Sequence, residues 1–102
     1  MQEVRIIGTG SYVPEHKVTN DDLTALVDTS DEWILTRTGI KERRITKSEN
    51  TTDLATKAAE RALENSGIRA EELDLIIVAT LTPDMVTPAT ACIVQARIGA
   101  TK

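Results

Sequence analysis

Trp33 and Arg37 are the two residues of this chain whose types and spacing best suit the holding of a ligand. Four residues apart on a helix, they share one face about one turn from each other. A flat indole beside a guanidinium can hold a planar anionic molecule, the ring stacking and the Arg pairing with phosphate. The same spacing also suits an intrahelical cation–π pair with no ligand, worth roughly 0.5–1 kcal/mol when exposed. Spacing alone leaves both open.

Other candidates for chemistry are weaker. Cys92, the lone thiol, is flanked by apolar residues in Thr90-Ala91-Cys92-Ile93-Val94, inside a predicted helix. A reactive thiol needs a helix N-terminus, a cation or a His partner to lower its pKa. Cys92 therefore reads as a small buried hydrophobe. His16, the single His, lies in a Pro14-Glu15-His16-Lys17 loop with no Cys or His at metal-ligand spacing, and reads as a solvated loop residue. HExxH, CxxC and GxSxG do not occur. Gly8-Thr9-Gly10 invites a dinucleotide fingerprint, but Val13 holds the third Gly position and Pro14 follows where a helix should continue. Asp21, Asp22, Asp31, Glu32, Glu71 and Glu72 fall at predicted helix starts, where they complement the helix dipole. No catalytic residue and no metal site is expected in the chain.

The elements that must position the Trp–Arg pair follow from caps and periodicity. Val4 to Gly8 reads as a short strand. A cap at Thr19 or Asn20, with Asp21 and Asp22 in the first turn, starts a helix through Leu23, Leu26 and Val27. Thr29-Ser30-Asp31-Glu32 opens a second short helix through Trp33, Ile34 and Arg37, ended by Gly39. Ile40 to Ile45 alternates as a strand. Leu54, Ala55, Ala58, Ala59, Ala62 and Leu63 form an apolar stripe at helical spacing, with Gly67 as the C-cap. Leu75 to Thr80 is an apolar, β-branched run, which predicts a strand covered on both faces in a parallel sheet. Pro83 and Pro88 frame a loop, and a helix resumes over Thr90 to Ile98, closed by Gly99. The fold class is α/β, in one domain over residues 1–102. The pattern stops after a helix that ought to return to another strand, so a truncated end is expected.

Composition narrows the function classes. Sixteen acidic against twelve basic residues give a net charge of -4, against the basic excess usual for phosphate-backbone binding. With Tyr12 and Trp33 the only aromatics, there is no stacking platform for single strands either. The basic run Lys41-Glu42-Arg43-Arg44, with Lys47, reads first as a solvated strand edge or turn and second as a patch for an acidic partner or a phosphate. A lone Cys excludes an internal disulfide and fits a reducing compartment. The first residues lack the pattern of a signal peptide. Leu75 to Ala79 is far short of the ~20 apolar residues that span a bilayer. No nucleic acid and no membrane is expected as a partner, and a cytoplasmic location is.

Longer strings carry a family likeness. Ile6-Ile7-Gly8-Thr9-Gly10-Ser11-Tyr12-Val13-Pro14, Asp28-Thr29-Ser30-Asp31-Glu32-Trp33-Ile34 and Arg37-Thr38-Gly39-Ile40-Lys41-Glu42-Arg43 closely resemble bacterial β-ketoacyl-acyl carrier protein synthase III. Leu75-Ile76-Ile77-Val78-Ala79-Thr80 and Pro88-Ala89-Thr90-Ala91-Cys92 do so as well, in order and with compatible spacing. The resemblance implies a thiolase-like layered α/β fold, of which this chain would be the N-terminal part, and a homodimer. It implies fatty-acid chain initiation: an acyl group passes from acyl-CoA to a Cys thiolate and is condensed with malonyl-acyl carrier protein after decarboxylation. CoA thioester is then a substrate, with no cofactor. The family's nucleophile sits in an Ala-Ala-Cys-(Ser/Ala)-Gly motif that this chain does not contain, and Cys92 matches a different, non-catalytic position. The segment is accordingly expected to be inactive alone.

By the same resemblance Trp33 would stack on the CoA adenine, Arg37 would lie beside the CoA phosphates, and Thr29 would edge that site. Thr87 stands where the family often has a Phe that reaches across the dimer to cap the partner's acyl pocket, so a roomier pocket is implied. Two alternatives stay open: a related thiolase-fold acyltransferase of a secondary pathway, and a non-catalytic module that binds CoA or another subunit.

Overall fold

A computed structural model describes residues 2–101 and divides them into two compact units, one of residues 13–48 and one of residues up to 12 together with those from 49 onward. In the first unit β1 (Lys17–Thr19) pairs antiparallel with β2 (Glu42–Arg44), in the register Lys17↔Arg44, Val18↔Arg43 and Thr19↔Glu42. Between them lie α1 (Asn20–Thr24) and α2 (Asp31–Thr38). Thr19 closes a capping box with Asp22: its hydroxyl accepts from the Asp22 amide at 3.2 Å, and the Asp22 carboxylate accepts from the Thr19 amide at 2.8 Å. That bond from the Thr19 amide, with a second from the Thr19 hydroxyl, holds the Asp22 carboxyl below its ordinary pKa.

The second unit is built on α3 (Thr51–Ser66) and α4 (Thr90–Ile98), which pack against each other. Asn50 and Asp53 form the capping box of α3, and the Asp84 carboxylate accepts from the Thr52 amide, adding negative charge at the same end. Thr52 and Thr56 on α3 and Thr90 and Val94 on α4 are buried, each pair one turn apart. An Arg97–Asp53 ion pair at 2.6 Å ties the two helices. The apolar stripe of α3 is only half-buried, so small hydroxyl residues occupy the deepest positions.

Gly8 and Gly10 do their work here. A Cβ on Gly10 would overlap the backbone of α3 at Ala58 and Ala62, and one on Gly8 would lie 2.6 Å from the Ser66 Cβ. Ala58, Ala62 and Ser66 are spaced by four, so they form one ridge of small residues. Alternate positions of the incoming segment lie against that ridge with no side chain between. The glycine pair is thus a packing device, in agreement with the failed fingerprint. Beside it, the Tyr12 hydroxyl donates to Glu49 at 2.6 Å, Lys57 pairs with the same carboxylate, and the Arg61 guanidinium donates to the Ser11 carbonyl at 2.8 Å. Lys57 and Tyr12 together hold the Glu49 carboxyl below its ordinary pKa, and Glu49 raises Lys57 in return.

Two strand expectations need correction. Neither Val4 to Gly8 nor Leu75 to Thr80 carries strand pairing, and the sheet of the described residues is the two-stranded β1–β2. The second run is not covered on both faces: Ile76 and Val78 are half-buried, while Leu75 is 74% and Ile77 81% exposed. A run of this kind becomes a strand through ladder bonds to neighbours, which the described residues do not supply. The loop between Pro83 and Pro88, α4 and the αL glycines Gly39, Gly67 and Gly99 fall where the sequence puts them.

The ridge makes a prediction. Gly10→Ala in the full-length protein lowers unfolding stability by about 1–3 kcal/mol, because the obstacle is helix backbone and no rotamer change relieves it. A chemical denaturation midpoint equal to wild type would contradict the close approach.

Candidate functional site

The first unit presents the Trp–Arg pair on α2. The Ser30 hydroxyl caps this helix by accepting from the Trp33 amide at 3.1 Å, and Gly39, at φ 73°, ends it. One turn of helix therefore separates Trp33 from Arg37, and the guanidinium carbon lies 4.7 Å from the centroid of the indole. The intrahelical cation–π pair exists. The indole is still 53% exposed, which leaves ring surface for something else.

Beside the ring is an open hollow of about 310 Å³, lined by Asp28, Thr29, Ser30 and Trp33. The Thr29 Oγ1 is shielded from solvent and has no hydrogen-bond partner. A buried hydroxyl without a partner costs free energy on the order of 1–3 kcal/mol unless something arrives to bond it. An aromatic residue, two hydroxyl residues and an aspartate thus line one concavity, a set suited to a flat heterocycle with polar edges. Three sequence-derived candidates, Thr29, Trp33 and Arg37, lie on or immediately before α2. Asp28 joins the lining without having been singled out, since an acidic residue before a helix reads first as a dipole partner.

What fixes α2 in the unit is Asn20, 1% exposed. Its side-chain amide donates to Asp31 Oδ1 and to the Ile40 carbonyl, both at 2.8 Å, and its Oδ1 accepts from Arg43 Nη2 at 2.7 Å. Its backbone amide donates to the Lys41 carbonyl at 3.2 Å. One residue thereby ties the start of α2, the turn after it and β2. The sequence marks Asn20 only as a possible cap. The basic run is also more than a solvated edge: Arg43 Nη1 donates to the Val18 carbonyl and Arg44 Nη1 to the Pro14 carbonyl. Asp31 spends its carboxylate on Asn20 as well as standing in the first turn of α2.

The remaining candidates lie elsewhere. Thr87 is exposed in the irregular segment before α4. His16 is exposed, and its carbonyl accepts from the Ile45 amide. Cys92 corrects an expectation, being exposed rather than buried. It sits in the first turn of α4 beside a hollow lined also by Leu73, Asp74, Leu75, Ile76, Ala91, Gln95 and Ala100. No His or cation is in that lining. Among the described residues no group of three His, Cys, Asp or Glu could hold a metal ion, and no helix is long and apolar enough to cross a membrane.

Comparison with known proteins bears on this arrangement. No family model matches the chain. The chain is 67% identical over 100 residues to the β-ketoacyl-[acyl-carrier-protein] synthase III of Clostridium acetobutylicum, an alignment covering 98% of this chain and 31% of that protein. Among solved structures it is similar to the 3-oxoacyl-[acyl-carrier-protein] synthase III of Aquifex aeolicus, with a TM-score of 0.90 and 60% identity over 94% of this chain and 31% of that one. It is also similar to the priming β-ketosynthase of the R1128 polyketide biosynthetic pathway, with a TM-score of 0.90 and 38% identity over 95% of this chain and 29% of that one. The chain therefore spans about a third of the length of the relatives it matches. Over that span the resemblance to β-ketoacyl-acyl carrier protein synthase III is shown, together with the corresponding part of the thiolase-like α/β fold.

The Asn20 hub is testable. Asn20→Ala in the full-length protein destabilises by about 3 kcal/mol, because Arg43 and the Ile40 carbonyl lose buried partners. Asn20→Asp, nearly the same shape, does not restore stability, since it sets oxygen against Asp31 Oδ1 and the Ile40 carbonyl. Wild-type denaturation by Asn20→Asp would refute the hub.

Proposed function

We propose that this chain serves in an enzyme that starts fatty-acid chains by decarboxylative condensation of an acyl-CoA with malonyl-acyl carrier protein, and that it contributes part of the CoA site. The observation that carries the proposal is the half-exposed indole of Trp33, paired with Arg37 and bordering a hollow where the Thr29 hydroxyl lacks a partner. The adenine of CoA supplies a flat ring for the indole and polar edges for Thr29 and Asp28. The CoA phosphates supply negative charge for the guanidinium of Arg37. Strong likeness to synthase III sequences supports the same reading.

In the reaction so proposed, a Cys thiolate attacks the acyl-CoA carbonyl, the C–S bond to CoA breaks, and CoA leaves as a thiolate that takes a proton. Malonyl on the carrier protein then loses carbon dioxide. The electron pair of the broken C–C bond forms an enolate that attacks the new thioester and expels the Cys sulfur. The nucleophile is not Cys92, and no group that stabilises the enolate is assigned to this chain. Its own part is to hold the nucleotide end of the substrate, remote from the bonds that change. The working protein is taken to be a cytoplasmic homodimer, with Thr87 beside the partner's acyl pocket. The likeness to a priming ketosynthase at 38% identity favours a second reading, in which the same segment serves an acyltransferase of a secondary pathway.

Two outcomes follow. Trp33→Ala in the full-length enzyme raises KM for acyl-CoA by about tenfold with kcat within about twofold, because stacking on the base is worth ~1–3 kcal/mol and acts equally before and during the reaction. An unchanged KM would sink the site. Thr87→Phe shifts the acyl-CoA chain-length profile toward acetyl, and an identical profile in both proteins would show that Thr87 does not border the acyl pocket.

A further inference from the structure

We propose that Arg37 is a positioning residue for Trp33: the guanidinium holds the indole in one orientation, so that the ring offers its free face to the ligand already set. The inference rests on the CoA reading above and adds to it a role exercised through the ring, whatever contact the guanidinium makes with phosphate. Three observations carry it. The guanidinium carbon is 4.7 Å from the ring centroid, within the range of a cation–π contact. Among the described residues Arg37 has no hydrogen bond and no carboxylate partner, so the indole is the group it engages. The hollow is lined by Trp33 and not by Arg37.

The physical case is one of order. An indole 53% exposed on a helix has few packing contacts to select one rotamer. A cation over one face stabilises the orientation that keeps it there, and it leaves the opposite face for a planar ligand. Fixing the ring before the ligand arrives removes part of the ordering cost from binding. Arg37 stands one helical turn from Trp33, a spacing that brings the two groups together without other support.

Adenosine separates this role from phosphate pairing, because it has a base to stack and no phosphate. Dissociation constants for adenosine and for CoA are measured by ligand-observed NMR on the full-length protein and on Arg37→Ala, Trp33→Ala and the double variant. Arg37→Ala is expected to weaken adenosine binding about two- to fivefold. That loss should vanish in the Trp33→Ala background, since a residue acting through the ring has nothing to act on once the ring is gone. An Arg37→Ala variant that weakens CoA and leaves adenosine untouched overturns the proposal in favour of a purely phosphate-directed Arg. Equal adenosine losses in both backgrounds overturn it in favour of a direct contact or a general loss of structure. A wild-type protein that binds neither ligand, or a Trp33→Ala variant that binds both as well as wild type, refutes the underlying CoA reading instead.

Discussion

The placement of α2 depends on one buried amide. Asn20 is nearly inaccessible, and each polar group of its side chain is used: two donated bonds, to Asp31 and Ile40, and one accepted from Arg43. Buried polar groups that are fully bonded specify a single arrangement, because any displacement leaves one of them without a partner. Asp31 is the first residue of α2, and Ile40 follows Gly39 at its end. Both ends of an eight-residue helix are therefore tied to one side chain. Its hydrophobic face is weak and no residue in it is fully buried, so packing alone would hold it poorly. The hub supplies the rigidity that packing does not.

The second unit is held differently. Its helices meet through small residues, and few large side chains are buried. Val4 is 98%, Ile6 85%, Leu75 74% and Ile77 81% exposed, in the two runs that read as strands. Exposed apolar side chains in such number more often mark a surface that other protein covers than a free one. Solved relatives about three times as long share the fold of this segment.

Helices α2, α3 and α4 were legible in the sequence because their signals are local, whereas the helix expected through Leu26 and Val27 stops at Thr24. Thr19 with Asp22, Ser30 before Asp31 and Asn50 with Asp53 satisfy orphan amides within four residues, and Gly39, Gly67 and Gly99 adopt the left-handed turn that ends a helix. The Trp33–Arg37 contact was legible for the same reason. Asn20 was not, since its partners lie 11, 20 and 23 residues away and a Thr-Asn-Asp string says only that a helix begins. The strands failed in the opposite direction: their composition is that of a covered sheet, but pairing belongs to the neighbours. Cys92 erred likewise, because apolar neighbours in sequence do not determine which face of α4 is covered. The unpartnered hydroxyl of Thr29 leaves no trace in sequence at all.

The seating of Gly8 and Gly10 on α3 has a bearing on attempts to make such a protein more heat-resistant. Replacing glycine by alanine is a common route to that end, since it narrows the freedom of the denatured chain. Here the gap between the two backbones is one methyl group too thin, and the remedy would pry the layer apart. Rigidity has to be sought at sites with room around them, and a catalogue of flexible residues drawn up from composition alone would choose the wrong glycines first.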